Sequence, residues 1–436
     1  MRDGRIDHPG TAATRNSRAS NRLEPYPDGP LHELLYEAAE TQPDNGLHQR
    51  GAHITYPEVV EAAERLASVP WPSAASDPVD RVATILPTSV QFVVATHGIT
   101  LAGGVHVPND FLDATEDLVY RLEQADPTVL IGHDEHLDLL LELRDRIGIE
   151  HLIVTSMDDY SEAPPDHEPL EGAEWWPAVL EEASGAVPDV DVDGDDLHTL
   201  LFTGGTTGRP KGCELTHSNV YANVHQLTGG GGEAQSIADM VSNVLLALPM
   251  YHTYGYLIGA VLVGRGMDIV LVDDPRDTDR MVELIEDHAL SVVMGVPAQF
   301  IDLVEEDIDR PLIGISGSAP LAGDTQDRFA EDHLAISQGY GLSEMLATHV
   351  NMGAIREQLG MGDTADPGFD RPSIGVPLPD TDAKLVDIDS GEEIPLERAA
   401  EEGLEGEMYL NGPQRMPGLS GRLAQSLRHR WVRRDG

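Results

Sequence analysis

Short apolar runs alternate with longer segments in which apolar residues recur every three or four positions. The short runs predict strands, and the segments with the helical period predict helices. Strands that alternate with helices predict parallel sheets covered on both faces, which is the α/β class. In the first half of the chain, we predict strands at 82–86, 105–108, 129–131 and 152–154, and helices at 31–39, 57–67, 89–102, 116–124 and 136–147.

The alternation starts again in the second half of the chain, after a glycine-rich segment at 228–232. We therefore predict two doubly wound, mostly parallel sheets with flanking helices. The first lobe is expected at 31–196 and the second at 197–372, followed by a smaller β region at 373–413. Ligands of such sheets bind outside the carboxyl ends of the strands, so the chemistry is sought there.

The charge balance narrows the class of partner. The 436 residues include 76 acidic and 28 basic side chains, which gives a formal net charge of −48. Such a surface disfavours nucleic acids and anionic membranes, because both need basic patches. It resembles the surfaces of proteins from a high-salt cytoplasm. No run approaches the roughly 18–20 apolar residues of a membrane span, so we expect a cytoplasmic protein.

Two features of the ends and of the cysteine content complete this picture. Residues 1–30 are polar and lack the apolar core of a signal peptide, which predicts a disordered arm or a misassigned start. The lone cysteine, Cys213, excludes an internal disulfide framework and a thiolate metal cluster. We expect Cys213 to pack in the interior.

The most distinctive stretch lies at 200–212, where an apolar run enters a loop of glycines and threonines that Lys211 closes. Glycines let backbone N–H groups approach an anion, threonines add hydroxyls, and a lysine adds a point charge suited to phosphate. The chain has only one other lysine, Lys384. Arg209 and Pro210 interrupt the contiguous Gly-Lys-Ser/Thr of a Walker A loop. We predict a polyphosphate loop of another type; the simpler alternative is a glycine-rich surface turn.

A second motif, Gly-Tyr-Gly-Leu-Ser-Glu at 339–344, follows an apolar run. Tyr340 offers an aromatic face to a purine, and Ser343 offers a hydroxyl to a phosphate. Glu344 offers the hard oxygen ligand that Mg²⁺ takes together with substrate phosphates. The simpler alternative for an isolated hexapeptide is a turn between a strand and a helix.

Two further strand ends carry candidate binding residues. The turn at 316–321 consists of small residues, which would let a flat base or an acyl group lie against the backbone. The segment at 249–255 carries His252, although a histidine in such a place more often packs or caps a helix. The other histidines, including His349 and the pair His133 and His136, show no pair at ligand spacing with a matching carboxylate. We therefore expect no transition-metal site.

These motifs resemble those of the adenylate-forming superfamily, which includes acyl-CoA synthetases, luciferases and the adenylation domains of peptide synthetases. The usual phosphate signature there is Thr-Ser-Gly-Thr-Thr-Gly-x-Pro-Lys-Gly, and Gly204 here replaces the serine, as in fatty-acyl-CoA ligases. The segments 100–108, 249–252, 316–321, 339–344 and 406–413 resemble further motifs of the family, in the family's order.

The resemblance implies the large domain of the adenylate-forming fold, with ATP and Mg²⁺ as ligands and CoA as co-substrate. Lys211, Thr207, Glu344 and His252 form the implied catalytic set, and His252 would position the substrate without transferring a proton. The implied ATP contacts are Thr203, Gly204, Gly205, Thr206, Thr207, Gly208, Lys211, Ser318, Ala319, Pro320, Gly339, Tyr340, Gly341 and Ser343. The implied metal ligand is Glu344, and the implied acid-binding residues are Tyr251, His252, Gly255 and Gly317.

The resemblance implies an AMP-forming carboxylic acid–CoA ligase. The motif at 339–344 lacks the tryptophan that shortens the pocket in acetate ligases, which favours medium or long fatty acids, with apolar residues at 293–297 as a candidate wall. The alternatives are an aryl-acid or amino-acid adenylating enzyme and a non-catalytic nucleotide- or acyl-binding remnant. We see no acidic residue near His252 that would bind a substrate ammonium, which disfavours amino acids.

The last residues depart from the family pattern. The family's Asp-Gly-Trp/Phe and Thr-Gly-Asp motifs and its small C-terminal domain should follow, but residues 415–436 hold six Arg and one Asp. With one extra base ahead of Leu419 and permitted codons, a neighbouring frame encodes an acidic stretch ending in Thr-Gly-Asp. We therefore predict a frameshift after Gly418; the alternative is a basic interaction tail. We expect the chain as written to bind ATP weakly, to adenylate slowly or not at all, and to form no thioester.

Overall fold

The computed structural model describes residues 22–70, 80–203, 209–228, 243–358, 373–419 and 432–433. None of the helices in these ranges is long and apolar enough to cross a membrane. The helices are α1 (Glu33–Thr41), α2 (Tyr56–Ala67), α3 (Val90–Leu101), α4 (Thr115–Ala125), α5 (Leu137–Ile147), α6 (Trp176–Glu182), α7 (His217–Thr228), α8 (Thr253–Gly264), α9 (Thr278–Asp287), α10 (Pro297–Leu303), α11 (Gly323–Asp332), α12 (Gly353–Gln358) and α13 (Leu396–Glu402).

The strands are short, and those predicted at 82–86, 105–108, 129–131 and 152–154 lie within a few residues of the predicted positions. They are β1 (Gly46–Gln49), β2 (Ala52–Thr55), β3 (Arg81–Ile85), β4 (Val105–Asn109), β5 (Val129–His133), β6 (His151–Thr155), β7 (Glu174–Trp175), β8 (Leu197–Phe202), β9 (Gly212–Thr216), β10 (Asn243–Leu246), β11 (Asp268–Leu271), β12 (Val292–Gly295), β13 (Ile313–Ser316), β14 (Ala335–Leu342), β15 (Leu346–Asn351), β16 (Val376–Pro377), β17 (Asp382–Val386), β18 (Glu393–Ile394), β19 (Glu407–Asn411), β20 (Gly418–Leu419) and β21 (Val432–Arg433).

Three sheets contain these strands, as the α/β prediction requires. An eight-stranded sheet has the order β20-β9-β8-β4-β3-β5-β6-β7, and a nine-stranded sheet has the order β16-β15-β14-β13-β12-β10-β11-β1-β2. Pairing is parallel except at β1/β2, β8/β9, β9/β20, β14/β15 and β15/β16. A four-stranded antiparallel sheet, β18-β17-β19-β21, forms the smaller β region. The predicted fold class is therefore confirmed.

The boundary that we predicted between the two lobes does not coincide with the division of strands between sheets. Strands β1 and β2, at 46–55, extend the nine-stranded sheet by pairing with β11, although they precede the first sheet in sequence. Strands β8 and β9, at 197–216, belong to the eight-stranded sheet. Strand alternation shows that a strand exists but carries no information on which distant strand it pairs with.

The start of the described chain is packed, in contrast to the disordered arm predicted for residues 1–30. The Leu23 N–H donates to Asp380 Oδ2 at 2.9 Å, and the Tyr26 hydroxyl donates to the same oxygen at 2.7 Å. Residues 1–21 lie outside the described ranges. Most of the predicted aberrant tail, at 420–431 and 434–436, also lies outside them.

A layer of apolar helices fills the space between the two large sheets. Every residue of α3 is buried, which fits a helix that is apolar on all sides. Apolar side chains from both sheets, such as Val82 of β3 and Leu246 of β10, join the helices in one continuous core. Two further cores cover the outer faces of the sheets. The carboxyl ends of the parallel strands and the loops that follow them are thereby held in fixed positions.

Local signals explain where the central helices begin. Helix α3 starts after Ser89, whose hydroxyl oxygen accepts a hydrogen bond from the Phe92 N–H at 3.1 Å. Helix α2 has Pro57 in its first turn, and Glu58 reaches back to accept from the Thr55 N–H at 2.8 Å. These caps place both helices near the positions predicted from the sequence.

Five histidines lie close to one another in and beside the core between the sheets, and we call them the histidine cluster: His32, His97, His106, His198 and His217. Burial lowers the pKa of His32 to about 4, and it lowers the pKa of His97 to about 3. The rings of His198 and His217 lie 4.6 Å apart, and the His217 Nδ1 accepts a hydrogen bond from the Leu31 N–H at 2.9 Å. The folded protein therefore keeps these imidazoles neutral at neutral pH.

We predict that acidification destabilises the fold before the surface carboxylates titrate. Above a pH of about 6.5 the cluster is neutral in both states, so it has no effect on stability. As the pH falls below that value, the unfolded chain binds protons that the folded chain cannot. Each histidine then lowers the free energy of unfolding by about 1.4 kcal/mol per pH unit. Denaturant unfolding in high salt between about pH 7.5 and about pH 5.5 measures this slope.

Two variants test whether the cluster causes the slope. His97→Gln removes one buried imidazole. The dependence of the free energy of unfolding on pH should then become less steep by the contribution of one proton, about 1.4 kcal/mol per pH unit. His151→Gln removes an exposed histidine and should leave the slope unchanged. A free energy of unfolding that stays constant over this pH range would contradict the prediction.

Candidate active site

The predicted polyphosphate loop connects two antiparallel strands of the eight-stranded sheet. Phe202 at the end of β8 pairs with Gly212 at the start of β9. The Thr203 N–H donates to the Lys211 carbonyl oxygen at 2.9 Å, and the Lys211 N–H donates to the Thr203 hydroxyl oxygen at 3.1 Å. These two hydrogen bonds hold the Lys211 backbone in place, while the Lys211 side chain is exposed. Gly204, Gly205, Thr206, Thr207 and Gly208 lie outside the described residues.

One flank of this loop is attached to helix α4. The Arg209 guanidinium carbon lies 4.7 Å from the centre of the Tyr120 ring. A cation held over an aromatic face in this way is attracted to the ring electrons. The contact attaches the loop to α4, beside which the acid-binding segment lies.

Strand pairing and one backbone contact bring the predicted phosphate and metal groups into the same region: Leu419 of β20 pairs with Cys213 of β9, and the Met416 N–H donates to the Glu344 carbonyl oxygen at 3.0 Å. Burial raises the pKa of the Cys213 thiol well above its usual value, and the negative charge of Glu344 raises it further. The positive charge of Lys211 acts on the same thiol in the opposite direction. Both charged groups therefore lie within electrostatic range of one sulfur atom, although 133 positions separate them in the sequence. Cys213 itself is fully buried, as expected for a packing residue.

Glu344 lies at the tip of the hairpin formed by β14 and β15. The pairing has an irregularity between Tyr340 and Gly341, and the turn closes with a hydrogen bond from the Met345 N–H to the Leu342 carbonyl at 3.0 Å. A Cβ atom at Gly341 would lie 2.0 Å from the Leu346 carbonyl oxygen, so only glycine fits there. The structure thus corrects the simpler alternative, because this motif ends in a second strand and not in a helix.

Two contacts hold the hairpin tip against other parts of the site. The Thr253 hydroxyl, at the start of α8, donates to the Ser343 hydroxyl oxygen at 3.2 Å. The Met416 N–H donates to the Glu344 carbonyl oxygen at 3.0 Å. The Ser343 side chain therefore contacts the residue that follows His252, and the Glu344 backbone is held by the residues before β20.

The predicted adenine residues border open space at the end of β13. Ser318 has a positive φ of 68°, which turns the chain sharply, and Ser318, Ala319 and Pro320 are exposed. A Cβ at Gly339 would meet no atom closer than the Ser316 carbonyl oxygen at 4.0 Å. Among the described residues, the buried Ser316 hydroxyl has no hydrogen-bond partner.

Tyr340 is half-buried, and its ring has apolar neighbours. It packs against the small cluster of Met345 and Leu410, which connects the hairpin to the antiparallel sheet. Its ring also makes an edge contact with His349, with 5.9 Å between the ring centres. The antiparallel sheet therefore supports the tyrosine from one side. His349 is buried, which agrees with the interpretation of it as a core residue.

Comparison with known proteins identifies the family. The family model described as AMP-binding enzyme matches residues 35–419, which is most of the chain. The chain belongs to the AMP-binding enzyme family. This confirms the resemblance to adenylate-forming enzymes on which the sequence interpretation depends.

Individual relatives of this AMP-binding enzyme agree with that assignment. A long-chain-fatty-acid–CoA ligase from Bacillus subtilis (strain 168) is 27% identical, over 94% of this chain and 74% of its own length. A feruloyl-CoA synthase from an Amycolatopsis species is 28% identical, over 87% of this chain and 70% of its own length. The crystal structure of ATP-bound MatB from Rhodopseudomonas palustris shares the fold, with a TM-score of 0.71 at 24% identity over 90% of this chain and 72% of its own.

The segment predicted to bind the acid, at 249–255, follows β10. Tyr251 is buried against Phe111, with 5.6 Å between the ring centres, whereas the His252 side chain is exposed by 55%. His252 occupies the N-cap position of α8 but its side chain makes no capping hydrogen bond. A Cβ at Gly255 would lie 2.2 Å from the Pro249 carbonyl oxygen, which requires glycine in this turn.

The structure corrects our expectation that no acidic residue lies near His252. Asp110 directly follows β4. Its Oδ2 atom lies 3.6 Å from His252 Nε2. Burial raises the pKa of the Tyr251 hydroxyl, and Asp110 raises it further by charge and by hydrogen bonding. Asp113 lies on the same loop and forms an ion pair with Arg121 at 2.5 Å. Sequence reasoning missed Asp110 because it lies 142 positions before His252.

The segment predicted as an acyl-pocket wall, at 293–297, faces in two directions. Val293 is fully buried in the core on one face of the nine-stranded sheet, whereas Met294 belongs to the core between the sheets. Tyr254 lines the end of β13 in a way that the sequence did not indicate. A Cβ at Gly317 would lie 2.8 Å from the Tyr254 ring, and the Tyr254 hydroxyl donates to the Ile315 carbonyl at 3.2 Å.

A pair of glycine variants tests the geometry of the hairpin. In Gly341→Ala the new methyl group would clash with the Leu346 carbonyl, so the hairpin must distort. We expect a loss of about 1–3 kcal/mol in the free energy of unfolding. Gly339→Ala is the matched control, because its methyl group would point into open space and should leave stability nearly unchanged. Equal stabilities of the two variants in denaturant unfolding would contradict the described hairpin.

Proposed function

We propose that this AMP-binding enzyme is an AMP-forming carboxylic acid–CoA ligase that acts on medium- or long-chain fatty acids. The observation that carries the proposal is that β20 pairs with β9, the strand that follows Lys211, while Met416, just before β20, donates to the Glu344 carbonyl oxygen. A cation for phosphates and a carboxylate for Mg²⁺ in one place are the groups that nucleotide activation needs. The named activities of the two curated relatives, a fatty-acyl and a feruloyl ligase, support the acid–CoA class.

The proposed reaction has two half-reactions. First, a carboxylate oxygen of the acid attacks the α-phosphorus of ATP, the bond to the β-phosphate oxygen breaks, and pyrophosphate leaves. Second, the thiol sulfur of CoA attacks the acyl carbonyl carbon, loses its proton, and displaces AMP. Both steps depend on positioning and on neutralisation of charge that develops on oxygen.

The described residues fit the first half-reaction. The Lys211 side chain would contact the outer phosphates, and the hydrogen bonds with Thr203 would hold its backbone in place. Ser343 would donate to a phosphate oxygen, and Glu344 would hold Mg²⁺, which neutralises the phosphates when bound. The open space at Gly339, beside the Ser316 carbonyl oxygen, would accept adenine.

The acid would lie between α8 and the end of β13. His252 and Tyr251 line the entrance near Asp110, and the Tyr254 ring forms a wall against Gly317. A wall of this kind limits how far an acyl chain can extend. The pocket depth, and therefore the choice of acid, would depend on Tyr254.

One observation favours a second candidate function. The Asp110 carboxylate beside His252 could bind a substrate ammonium, as an amino-acid adenylating enzyme requires. Asp110 already accepts a hydrogen bond from Tyr251, which lowers its availability for a ligand. Exchange of pyrophosphate that requires an amino acid and is lost in Asp110→Asn would favour this candidate. ATP binding without exchange for any acid would favour the non-catalytic remnant.

We predict that Lys211→Gln weakens MgATP binding by about tenfold to hundredfold, because one charge-assisted phosphate contact is lost. Lys384→Gln is a matched control, because the chain has only these two lysines. The Lys384 ammonium lies on β17 of the small sheet, 5.6 Å from the Tyr409 ring centre. The measurement is a titration in high salt, followed by exchange of labelled pyrophosphate into ATP that depends on added fatty acid.

The control separates a local effect from a general loss of positive charge. We expect MgATP affinity and exchange to stay unchanged in Lys384→Gln. Equal weakening in both variants, or no weakening in Lys211→Gln, would contradict the assignment of Lys211 to the phosphates. If pyrophosphate exchange occurs only when aryl acids are added, the substrates are aryl acids and not fatty acids.

Tyr254→Ala should shift the preference of the exchange reaction toward longer or bulkier acids, because it removes the ring that packs against Gly317. Tyr254→Phe keeps the ring and removes only the hydrogen bond to Ile315, so its preference should match the parent protein. The measurement is the ratio of exchange rates across straight-chain acids of increasing length. An unchanged ratio in Tyr254→Ala would show that this ring does not limit the pocket.

A further inference from the structure

Two histidines and an aspartate meet at the edge of the nine-stranded sheet that lies far from the nucleotide site. His48 of β1 and His53 of β2 are directly opposite each other in the antiparallel pairing, and Asp268 begins the neighbouring strand β11. Strand β1 is five strand positions from β14 in the sheet order, which is about 24 Å. This group therefore does not belong to the candidate active site.

The donor atoms of the three side chains converge. His48 Nε2 lies 2.9 Å from Asp268 Oδ2, and His53 Nε2 lies 3.4 Å from Asp268 Oδ1. The nitrogen and oxygen atoms all lie within 4.8 Å of one another. Ligands held about 2.1 Å from a tetrahedral zinc ion are about 3.4 Å apart, so these separations are close to those of a metal site.

The surroundings orient the ligands. The Gly46 N–H donates to Asp268 Oδ1 at 3.2 Å, which fixes the carboxylate as outer contacts do in metal sites. Burial would raise the pKa of Asp268, but hydrogen bonds from His48 and Gly46 outweigh it, and the pKa lies below its usual value. The two imidazole rings are stacked, with 4.3 Å between centres and 6° between planes, and both Nε2 atoms face the Asp268 carboxylate.

The site is accessible to ions and has space for a further ligand. His53 is exposed, and His48 and Asp268 are half-buried. His48 also lines a cavity of about 230 Å³ together with His288, which follows α9. The His288 ring centre lies 4.8 Å from that of His48. Water or a rotated His288 could complete a four-ligand set.

We propose that His48, His53 and Asp268 form a binding site for a divalent transition metal of the zinc type. Two imidazoles and one carboxylate are ligands that Zn²⁺ takes in proteins, and they select it over Mg²⁺ and Ca²⁺. The ion links the hairpin of β1 and β2 to β11, which is more than 210 positions later in the chain. A bound metal therefore holds the edge of the sheet in place and stabilises the folded state.

Sequence reasoning had excluded such a site because no histidine pair stood near a matching carboxylate. The two histidines are five positions apart, which is a spacing of no significance until a tight hairpin places them opposite each other. Asp268 reaches them only through the parallel pairing of β1 with β11. The proposal thus depends on sheet order, which the local pattern does not contain.

The test is titration of the full chain, freed of metal by a chelator, with Zn²⁺ alone. High salt and excess Mg²⁺ are present to occupy the acidic surface. We expect saturable binding of one Zn²⁺ per chain and a rise in the thermal midpoint. His53→Gln and Asp268→Asn should each weaken this binding by at least about tenfold. Bound Co²⁺ should show the visible absorption of a tetrahedral site with nitrogen and oxygen ligands.

Two control variants make the result specific. His151→Gln alters a histidine that lies 3.8 Å from Glu174, a similar pair without a third donor, and it should bind Zn²⁺ as the parent protein does. Glu344→Gln should also keep the site. If Asp268→Asn does not fold, exposed His53→Gln alone decides the outcome. Absence of saturable binding, or equal affinity in the parent protein and in His53→Gln, would overturn the proposal.

Discussion

The apolar helix layer between the two large sheets determines where the functional loops can lie. Helix α3 is buried at every position, α2 and α8 pack beside it, and α7 packs against α8, so neither sheet can shift without opening the core. The phosphate loop leaves one sheet, and the hairpin with Glu344 leaves the other. Because the core fixes the two sheets relative to each other, β20 pairs with β9 beside the predicted phosphate loop, and Met416 contacts the hairpin tip at Glu344. The proposed chemistry depends on this constraint.

Much of the fold could be predicted because its signals are local. The helical period and the caps at Ser89 and Thr55 place the central helices within a few residues. The pairing of strands that are far apart in the sequence could not be predicted. Strands β1 and β2 join the second sheet, and Asp110 approaches His252 from another loop. Periodicity reports which face of an element is buried, but it does not report which distant element covers that face.

The candidate site shows the same division. The motifs at 316–321 and 339–344 fall at the carboxyl ends of adjacent strands, as the rule for parallel sheets requires. The sequence did not indicate Tyr254 against Gly317 or the anchoring of Ser343 by Thr253. These contacts involve residues that are unremarkable in sequence and matter only because α8 packs beside the end of β13. The metal ligands at the opposite edge were missed for an equivalent reason.

The central claim is that Lys211 and Glu344 act on one bound nucleotide, and a double-mutant cycle on MgATP affinity tests it most directly. Lys211→Gln, Glu344→Gln and the double variant are titrated under identical high-salt conditions. Groups that share a ligand are coupled, so we expect the double variant to differ from the sum of the single effects by about 0.5–3 kcal/mol. Effects that add to within about 0.5 kcal/mol would mean that the two groups act independently, and would contradict the account.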